Sequence, residues 1–285
     1  MHKTLNFDSN CRALIIGASG GIGSSLPDAI NRLYGINDIV EISRSTDGLD
    51  ITNEESIKNV LSRVDGEFDL IFVTTGALEI NGIGPEKTIL QMTPENLRAH
   101  FEVNTLGPAL LIKHLHKYLP KNRRGILTVL TARVGSIGDN YLGGWISYRT
   151  SKAAVNQIIR TSALEIRNKF KQSISIAMHP GTVKTKLTQK YVGKHPSVEP
   201  KQAAINILNV INELNPSDNG KFFDWAGNEV EWWTKFSFIN LENSLSYYFT
   251  DFFSFPRCHI PLKIFPDMYV ILPKPLGWAC LILPT

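Results

Sequence analysis

Short apolar runs alternate with longer amphipathic stretches from residue 12 to about residue 225. The apolar runs predict buried strands, and they cover residues 12–16, 38–42, 70–73, 126–130, 173–178 and 221–224. Between them, apolar residues recur at helical spacing, which predicts helices over residues 24–34, 53–64, 94–104, 108–119, 146–168 and 199–214. Strands that are apolar throughout are typical of a sheet with helices on both faces. The pattern therefore predicts one α/β domain with a doubly wound parallel sheet.

The alternation ends near residue 231, and the rest of the chain has a different character. Residues 233–285 hold 12 of the 27 Phe, Trp and Tyr residues and show no consistent period. We therefore predict a domain of residues 1–231, followed by a poorly ordered, aromatic- and Pro-rich tail of residues 232–285. Such a tail could touch a membrane or a partner, cover the substrate site as a lid, or be an extension without selected structure. The lack of a period favours the last of these.

Composition and charge narrow the class of protein. Hydrophobic residues make up 43% of the chain and charged residues 20%, as in an ordinary soluble protein rather than a disordered one. The net charge is +4 and no block of like charges occurs, so we expect no nucleic-acid partner. The cysteines, Cys11, Cys258 and Cys280, have neither metal-ligand nor disulfide-framework spacing, which predicts no metal and a reducing compartment. Without a secretory signal or a long apolar run, a cytoplasmic protein with no transmembrane segment is expected.

A glycine-rich loop joins the first predicted strand to the first predicted helix. It reads Gly17-Ala18-Ser19-Gly20-Gly21-Ile22-Gly23. Glycines allow close approach of the backbone to a pyrophosphate, and the helix N-terminus offers free N–H groups to it. This placement predicts a Rossmann-type fold whose loop binds a dinucleotide through Gly17, Ser19, Gly20, Gly21, Ile22 and Gly23. Two glycine spacings fit the loop: Gly17, Gly21 and Gly23, or Gly17, Gly20 and Gly23.

The end of the second strand indicates which dinucleotide is preferred. An acidic residue there would bond both ribose hydroxyls and favour NAD. This chain has Ser43-Arg44-Ser45 instead. The Arg44 guanidinium could pair with a 2′-phosphate and stack on the adenine, so NADP is favoured over NAD.

Tyr148 and Lys152 lie four residues apart on the helix predicted for residues 146–168, so their side chains share one face. A free tyrosine has a pKa near 10, and a nearby ammonium stabilises the phenolate and lowers that pKa. Such a tyrosine can exchange a proton with a carbonyl oxygen while a nicotinamide moves a hydride at the carbon. The pair, placed after a glycine loop in this fold, predicts an oxidoreductase.

Together these motifs resemble the single-domain type of the short-chain dehydrogenase/reductase family. The matching residues are Gly17-x-x-x-Gly21-x-Gly23, Asp50-Ile51, Asn104, Tyr148-x-x-x-Lys152 and Pro180-Gly181-x-Val183-x-Thr185. Residues 132–137, 143–145 and 147–152 resemble in particular the C-factor-like and sniffer-like carbonyl reductases. The resemblance implies an NAD(P)-dependent enzyme that interconverts a small-molecule carbonyl and a secondary alcohol. It also implies a homodimer or tetramer through the helix that bears Tyr148, or a monomer, and of these we expect the homodimer.

The resemblance implies a role for each matching residue. Tyr148 is the expected general acid/base, and Lys152 is expected to lower its pKa and to bond the nicotinamide ribose. Asn104 is expected to hold a water that links Lys152 to solvent. The other expected cofactor contacts are Asp50 and Ile51 at the adenine, Thr74, Thr75, Gly76 and Ala77 at the adenosine ribose, and Pro180, Gly181, Val183 and Thr185 at the nicotinamide carboxamide. His179 is expected to be structural.

Two positions depart from the family pattern. The turn Thr74-Thr75-Gly76-Ala77 replaces the more frequent Asn-Asn-Ala-Gly, and Ala132 stands where a substrate-orienting serine is usual. Thr131 and Ser136 carry the nearest hydroxyls, so we expect one of them to polarise the substrate carbonyl. The loss of such a donor can lower a rate by orders of magnitude.

Two other functions stay open from the sequence. Ala132 and the C-factor resemblance also fit a catalytically weak signalling protein that keeps the dinucleotide site. The Gly17, Gly20, Gly23 spacing permits the extended branch of the family, such as sugar-nucleotide epimerases, although the region beyond residue 231 does not resemble the substrate domain of that branch. The predicted substrate loop, from Thr185 to about Pro200, weakly indicates a polar or anionic substrate through Lys184, Lys186, Lys190, Tyr191 and His195.

Overall fold

The computed structural model describes residues 7–191, 196–232, 271–274 and 277–280 of the chain. The chain divides into two compact units, Met1–Lys235 and Phe236–Thr285. All of the predicted motifs lie in the first unit. Among the described residues, no helix is both long enough and apolar enough to cross a membrane.

Six strands of the first unit form one parallel sheet. They are β1 (Arg12–Ile16), β2 (Asp38–Ile42), β3 (Leu70–Val73), β4 (Gly125–Leu130), β5 (Ser173–His179) and β6 (Phe222–Asp224). Their order is β2-β1-β3-β4-β5-β6, and each neighbouring pair is parallel. The predicted doubly wound parallel sheet is confirmed, with each strand within one residue of its predicted bounds.

Seven α-helices in the described part of the chain connect and cover the strands. They are α1 (Leu26–Tyr34), α2 (Arg44–Asp47), α3 (Glu54–Leu61), α4 (Pro94–Phe101), α5 (Gly107–Leu115), α6 (Ile146–Lys169) and α7 (Pro200–Glu213). Asn53 caps α3 by accepting the N–H groups of Glu55 and Ser56, and Thr93 caps α4 through the N–H of Asn96. These caps satisfy backbone donors that a helix start leaves without partners.

The helical pattern differs from the prediction in several places, and α3 and α5 end at Leu61 and Leu115 rather than at residues 64 and 119. The helix expected over residues 94–104 ends at Phe101, and a π-helical turn, Glu102–Leu106, follows it. The short helix α2 is not predicted by the apolar pattern, because none of its residues is buried. It forms because the Ser43 side chain accepts the N–H of Thr46 at its start and Gly48 ends it with φ +71°.

Both faces of the sheet are covered, as alternate side chains of β1 demonstrate. Leu14 and Ile16 belong to one buried cluster, together with residues of α3, α5 and α6. Ala13 and Ile15 belong to the other, together with residues of α1 and α7. The apolar strands follow from this arrangement, since every side chain of the central strands β3 and β4 is buried.

The order of the strands fixes the place of the site. The chain passes from β1 to β2 at one side and then returns to β3 at the other side of β1. In open α/β sheets, ligands bind outside the carboxyl ends of the strands at such a switch point. The glycine loop and the turn at residues 74–77 both follow strands that flank this point.

The first unit extends past the predicted boundary at residue 231. The Trp232 ring stacks on Phe222 of β6 with 5.2 Å between centroids, and its carbonyl accepts the N–H of Ile137 at 3.1 Å. In the second unit, Ile271–Lys274 (β7) pairs antiparallel with Gly277–Cys280 (β8). The prediction of a poorly ordered tail otherwise lies outside the described residues.

Candidate active site

The glycine loop turns sharply where it leaves β1. Gly17 has φ +92°, a conformation that favours glycine. A Cβ atom on Gly17 would lie 2.7 Å from Thr74 Oγ1, and one on Gly23 would collide with the Gly17 carbonyl oxygen. Neither position has room for a side chain, so the loop backbone lies directly against the turn that follows β3.

The same loop also touches the segment that follows β5. A Cβ atom on Gly21 would lie 2.5 Å from Thr185 Cγ2, whereas one on Gly20 would lie 3.2 Å from the nearest atom. The tight positions are therefore Gly17, Gly21 and Gly23, the first of the two predicted spacings. Of the other two predicted loop residues, Ser19 is exposed and Ile22 packs against the core beneath α1.

The hydroxyls of Thr74 and Thr75 have different surroundings. Thr74 Oγ1 lies within donating distance of the carbonyl oxygens of Ile16 (2.9 Å) and Gly17 (3.1 Å), so it links β3 to the glycine loop. Thr75 Oγ1 is buried and has no hydrogen-bond partner among the described residues. A buried hydroxyl without a partner is unfavourable, and a ligand in this turn would satisfy it.

Arg44, Asp50 and Ile51 lie near the carboxyl end of β2. Arg44 begins α2 and is exposed. Asp50 Oδ1 accepts the Thr52 hydroxyl at 2.7 Å and the Thr52 N–H at 2.9 Å, and these bonds, helped by Arg44, lower the pKa of Asp50. Ile51 packs against Gly107 at the start of α5. Arg44 is thus accessible to a ligand phosphate, while Ile51 is half-buried.

Asn104 lies in the π-helical turn and is fully buried. Its Oδ1 accepts the N–H of Ala77 and its Nδ2 donates to the Ala77 carbonyl, both at 2.9 Å. Its Nδ2 also lies 3.1 Å from His100 Nδ1. The amide therefore anchors the turn at residues 74–77, a role that the sequence did not predict for it.

Tyr148 and Lys152 lie on one face of α6, as predicted. The Lys152 Nζ lies 5.8 Å from the centroid of the Tyr148 ring and is almost fully buried. A Cβ atom on Gly76 would lie 3.2 Å from this Nζ and 3.3 Å from Asn104 Oδ1. The lysine, the asparagine and the turn after β3 therefore converge at one point, where a Cβ atom at residue 76 would be tightly packed.

Burial shifts the pKa values of both groups. It lowers the pKa of Lys152 to about 8, because an ammonium is poorly solvated there. It raises the pKa of Tyr148 well above 10, so the phenol is protonated at neutral pH. The role expected of Lys152, to lower the pKa of Tyr148, stays a prediction.

Thr131 and Ser136, the predicted donors in place of the usual serine, are both buried and engaged elsewhere. The Thr131 hydroxyl donates to Asn156 Oδ1 at 2.7 Å. The Ser136 hydroxyl donates to the carbonyl oxygen of Glu231 and accepts the N–H of Asp139 at 3.3 Å. Because each hydroxyl has a single proton, neither is free to donate to a substrate carbonyl. The geometry therefore disagrees with this expectation.

The residues predicted at the nicotinamide carboxamide follow β5. Val183 is buried and pairs with Val198 in a parallel bridge, and Thr185 closes a tight turn by bonding Thr188. Pro180 and Gly181 precede this segment at its junction with β5, where Gly181 lies against the Trp225 ring. The contact of Thr185 with Gly21 brings this segment to the glycine loop.

His179 is a neutral imidazole at the end of β5. Burial lowers its pKa to about 4, although Asp224 opposes the shift. It is therefore suited to the structural role expected for it rather than to proton exchange near neutral pH.

Two aromatic side chains that the sequence reasoning missed contact Tyr148. The His100 and Trp145 rings lie edge-on to the Tyr148 ring, with centroids 5.9 and 6.1 Å away. Trp145 adopts a left-handed conformation, φ +53°, immediately before α6. His100 lies one helical turn before Asn104, and this spacing could have indicated that His100 is near the site. No local sequence pattern indicates the contact of Trp145 with Tyr148.

The chain belongs to the short-chain dehydrogenase family. The family model for short chain dehydrogenase matches residues 44–195, which include Asn104, Tyr148 and Lys152. The family membership that the motifs predicted is thereby confirmed.

Relatives of known name and solved structures agree with this assignment. The 1-hydroxy-2-glutathionyl-2-methyl-3-butene dehydrogenase of Rhodococcus sp. (strain AD45) is 30% identical over 234 residues, which is 77% of this chain and 98% of that protein. The C-signal protein of Myxococcus xanthus is 34% identical over 135 residues, which is 46% of this chain and 76% of that protein.

Two solved carbonyl reductases share the fold, each with a TM-score of 0.66. The NADPH-bound enzyme from chicken fatty liver is 23% identical, and the match covers 79% of this chain and all of that one. Sniffer of D. melanogaster is 20% identical, with 78% and 99% covered. The predicted likeness to the C-factor and sniffer branch is confirmed.

Proposed function

We propose that the protein is an NADP-preferring oxidoreductase that interconverts a carbonyl compound and a secondary alcohol, with Tyr148 as the acid/base. The observation that carries this proposal is the convergence of Lys152, Asn104 and Gly76 beside Tyr148, at the carboxyl ends of the strands. Proton exchange with a substrate requires a titratable group such as Tyr148 or Lys152 beside the place where the cofactor transfers its hydride, and the glycine loop lies at the same edge of the sheet.

The residues present fit a nicotinamide dinucleotide. At Gly17 and Gly23 only backbone atoms line the loop, so a pyrophosphate could approach closely. The buried Thr75 hydroxyl has no hydrogen-bond partner among the described residues, and a bound ligand would supply one. Gly21 and Thr185, which touch each other, would lie along the same ligand. The bound cofactor supplies or accepts the hydride. The chicken carbonyl reductase that shares the fold carries NADPH, which supports this assignment.

The preference for NADP rests on Arg44. Its guanidinium is exposed at the carboxyl edge of β2, where the ribose of a dinucleotide in this fold lies. A guanidinium pairs with a phosphate through two parallel hydrogen bonds, which a ribose hydroxyl does not offer.

The proton chemistry follows from the burial of the two side chains. Because burial keeps Tyr148 protonated, its hydroxyl can donate to the oxygen of a carbonyl substrate during reduction. Reduction leaves Tyr148 as a phenolate, and in alcohol oxidation this phenolate takes the proton of the alcohol hydroxyl. Lys152, with its pKa near 8, is charged at neutral pH and stabilises the phenolate while it exists. Asn104 keeps Gly76 and Ala77 in place around the lysine.

The substrate is proposed to be a small carbonyl or alcohol. Lys184 and Lys190, two of the cations that indicated an anionic substrate, already pair with Glu199 and Glu79 at 2.8 Å. The structure therefore weakens that indication. A cytoplasmic location and a homodimer through α6 stay predictions.

A catalytically weak signalling protein is the second candidate. The similarity to C-signal and the engaged hydroxyls of Thr131 and Ser136 favour it. It would bind NADPH and convert no carbonyl compound.

One experiment separates the two candidates. NADPH binding is measured by fluorescence titration, and NADPH oxidation is then followed with a panel of aldehydes, ketones and quinones. The enzyme proposal predicts binding and turnover of at least one compound. Binding without turnover on any of them supports the signalling protein, and the absence of NADPH binding contradicts both.

A further inference from the structure

A buried carboxylate, Glu86, meets the start of the helix that bears Tyr148. Glu86 lies between β3 and α4 and is 4% exposed. Its Oε2 accepts the N–H of Ser147 at 3.1 Å, and its Oε1 accepts the Ser147 hydroxyl. Oε1 also accepts Asn96 Nδ2 from α4 at 2.8 Å. One side chain therefore joins the loop before α4, α4 itself and the first turn of α6.

Helix α6 has no cap from its own sequence. Its N-cap position is Trp145, which has φ +53° and no capping hydrogen bond from its side chain, and no acidic residue lies in its first turn. The first N–H groups of a helix lack partners within the helix, and the positive end of the helix dipole lies there. A carboxylate at this end is therefore favourable, and Glu86 supplies it from 61 residues away.

The backbone of Glu86 fixes the approach to the same helix. Its carbonyl oxygen accepts the N–H of Trp145, whose ring packs edge-on to Tyr148. The residues directly before and after the helix start are thus both bonded to Glu86, one through the backbone and one through the side chain. Tyr148 is the next residue after Ser147, so the backbone position of Tyr148 depends on the bonds that Glu86 makes to Ser147 and Trp145.

Glu86 is ionised despite its burial. Burial favours the neutral acid, but the hydrogen bonds from Ser147 and Asn96 outweigh it and lower the pKa of Glu86. The group at the start of α6 is therefore a charged acceptor at neutral pH.

We propose that Glu86 is a positioning residue for Tyr148, because it caps α6 from outside the helix and holds the first turn in the orientation that proton transfer needs. This inference rests on the proposed function of Tyr148. It makes a separate claim, since none of the contacts of Glu86 involves the glycine loop or the turn at residues 74–77. Loss of Glu86 therefore lowers kcat while the affinity for NADPH stays unchanged.

Two substitutions test the claim. Glu86→Leu removes every acceptor and is expected to lower kcat about 10- to 100-fold, as a misplaced acid/base does, with the NADPH Kd within about twofold of wild type. Glu86→Gln keeps one acceptor for Ser147, and Asn96 Oδ1, which has no partner among the described residues, can accept from the new amide after a flip. It is therefore expected to restore most of kcat.

Exposed Glu95 provides the matched control, because it lies in the first turn of α4 and pairs only loosely with Arg98 at 3.9 Å. Glu95→Leu is expected to leave kcat unchanged. Equal kcat values for wild type and Glu86→Leu would overturn the proposal. A kcat of Glu86→Gln that is as low as that of Glu86→Leu would overturn it as well.

Amide hydrogen exchange provides a second readout that needs no turnover. Exchange at residues 147–150 is expected to accelerate in Glu86→Leu and not in Glu86→Gln, with α7 unchanged as an internal reference. If wild type converts no carbonyl at all, the proposed function fails, and exchange still decides whether Glu86 caps α6. Unchanged exchange in Glu86→Leu would refute the capping.

Discussion

The side-chain amide of Asn104 bonds both backbone groups of Ala77, its Oδ1 accepting the N–H and its Nδ2 donating to the carbonyl, each at 2.9 Å. These two bonds fix which end of the amide is oxygen. The third bond, to His100 Nδ1, is therefore donated by Asn104, so His100 carries its proton on Nε2. With both Nδ2 hydrogens engaged, the amide serves mainly as a clamp on the turn, which differs from the expected role of holding a water.

Breaking this clamp tests its importance. In Asn104→Asp, the carboxylate still accepts the Ala77 N–H but faces the Ala77 carbonyl and His100 Nδ1 without a hydrogen to donate. We expect the free energy of unfolding to fall by about 1–3 kcal/mol, with weaker NADPH binding because the turn loosens. Chemical denaturation and fluorescence titration measure the two effects. Exposed Asn59→Asp is the control, and equal losses in both variants would contradict the clamp.

Thr74 and Thr128 form a matched pair for the glycine loop. The Thr74 hydroxyl bonds the loop, whereas the Thr128 hydroxyl on β4 is buried without a partner among the described residues. Thr74→Val should lower stability by about 1 kcal/mol and weaken NADPH binding, since a made hydrogen bond is lost. Thr128→Val should be neutral or stabilising, because it removes an unsatisfied polar group. Thermal unfolding and NADPH titration compare the two variants. A larger loss of stability in Thr128→Val than in Thr74→Val would contradict the role of the Thr74 hydroxyl in holding the glycine loop.

The buried ammonium of Lys152 predicts a pH dependence of stability. Its pKa is about 8 in the folded chain and near 10.5 when exposed. Between these values the unfolded chain holds a proton that the folded chain has released, so this group makes the free energy of unfolding rise with pH. Below pH 8 both states hold the proton, and the unfavourable burial of the charge is fully present.

Lys152→Met is therefore expected to be more stable than wild type at pH 7, by roughly 3 kcal/mol, although inactive. The gain should shrink as the pH rises from 8 to 10.5, because the folded wild-type chain then releases the proton, and it should vanish above pH 10.5, where the lysine is neutral in both states. Denaturant unfolding at pH 7, 9 and 10.5 measures the difference. For the control Lys171→Met, at an exposed lysine, the difference in the free energy of unfolding from wild type should be the same at all three pH values. A variant that is less stable than wild type at pH 7 would show that the buried charge is compensated.

Arg44 predicts the choice between the two dinucleotides. Arg44→Ser is expected to weaken NADPH binding roughly 10-fold while NADH binding stays the same, because only NADPH carries the 2′-phosphate. The Kd ratio of the two cofactors measures this, with exposed Arg63→Ser as the control. Parallel losses for both cofactors would show that Arg44 does not recognise the phosphate.

The sequence predicts the sheet and most helix starts well and the helix ends less well, since α3, α4 and α5 each end three or four residues before the predicted residue. Every strand except the edge strand β2 is an almost fully buried run, so burial and local pattern agree for these strands. α1 begins at Leu26 rather than Ser24, because a 3₁₀ turn, Gly23–Ser25, comes first. The π-helical turn around Asn104 continues the spacing of α4, and nothing in the apolar pattern marks the change.

For the candidate site, the sequence motifs predict which residues are involved but not which hydrogen bonds their side chains form. Gly17 lies in the turn after β1, and Tyr148 and Lys152 share one face of α6, as these short local motifs predict. The link between Glu86 and Ser147 spans 61 residues and leaves no periodic signal. The bond between Ser136 and Glu231 spans 95 residues, so the sequence could not exclude Ser136 as a substrate donor.

The most direct test of the central claim is turnover by Tyr148→Phe. NADPH oxidation is measured with the best carbonyl substrate of the wild type, together with the NADPH Kd. Removal of the acid/base hydroxyl is predicted to lower kcat by about 1000-fold, within the range of acid–base catalysis, and to leave the Kd within about twofold. Turnover close to that of the wild type, at an unchanged Kd, would contradict the role of Tyr148.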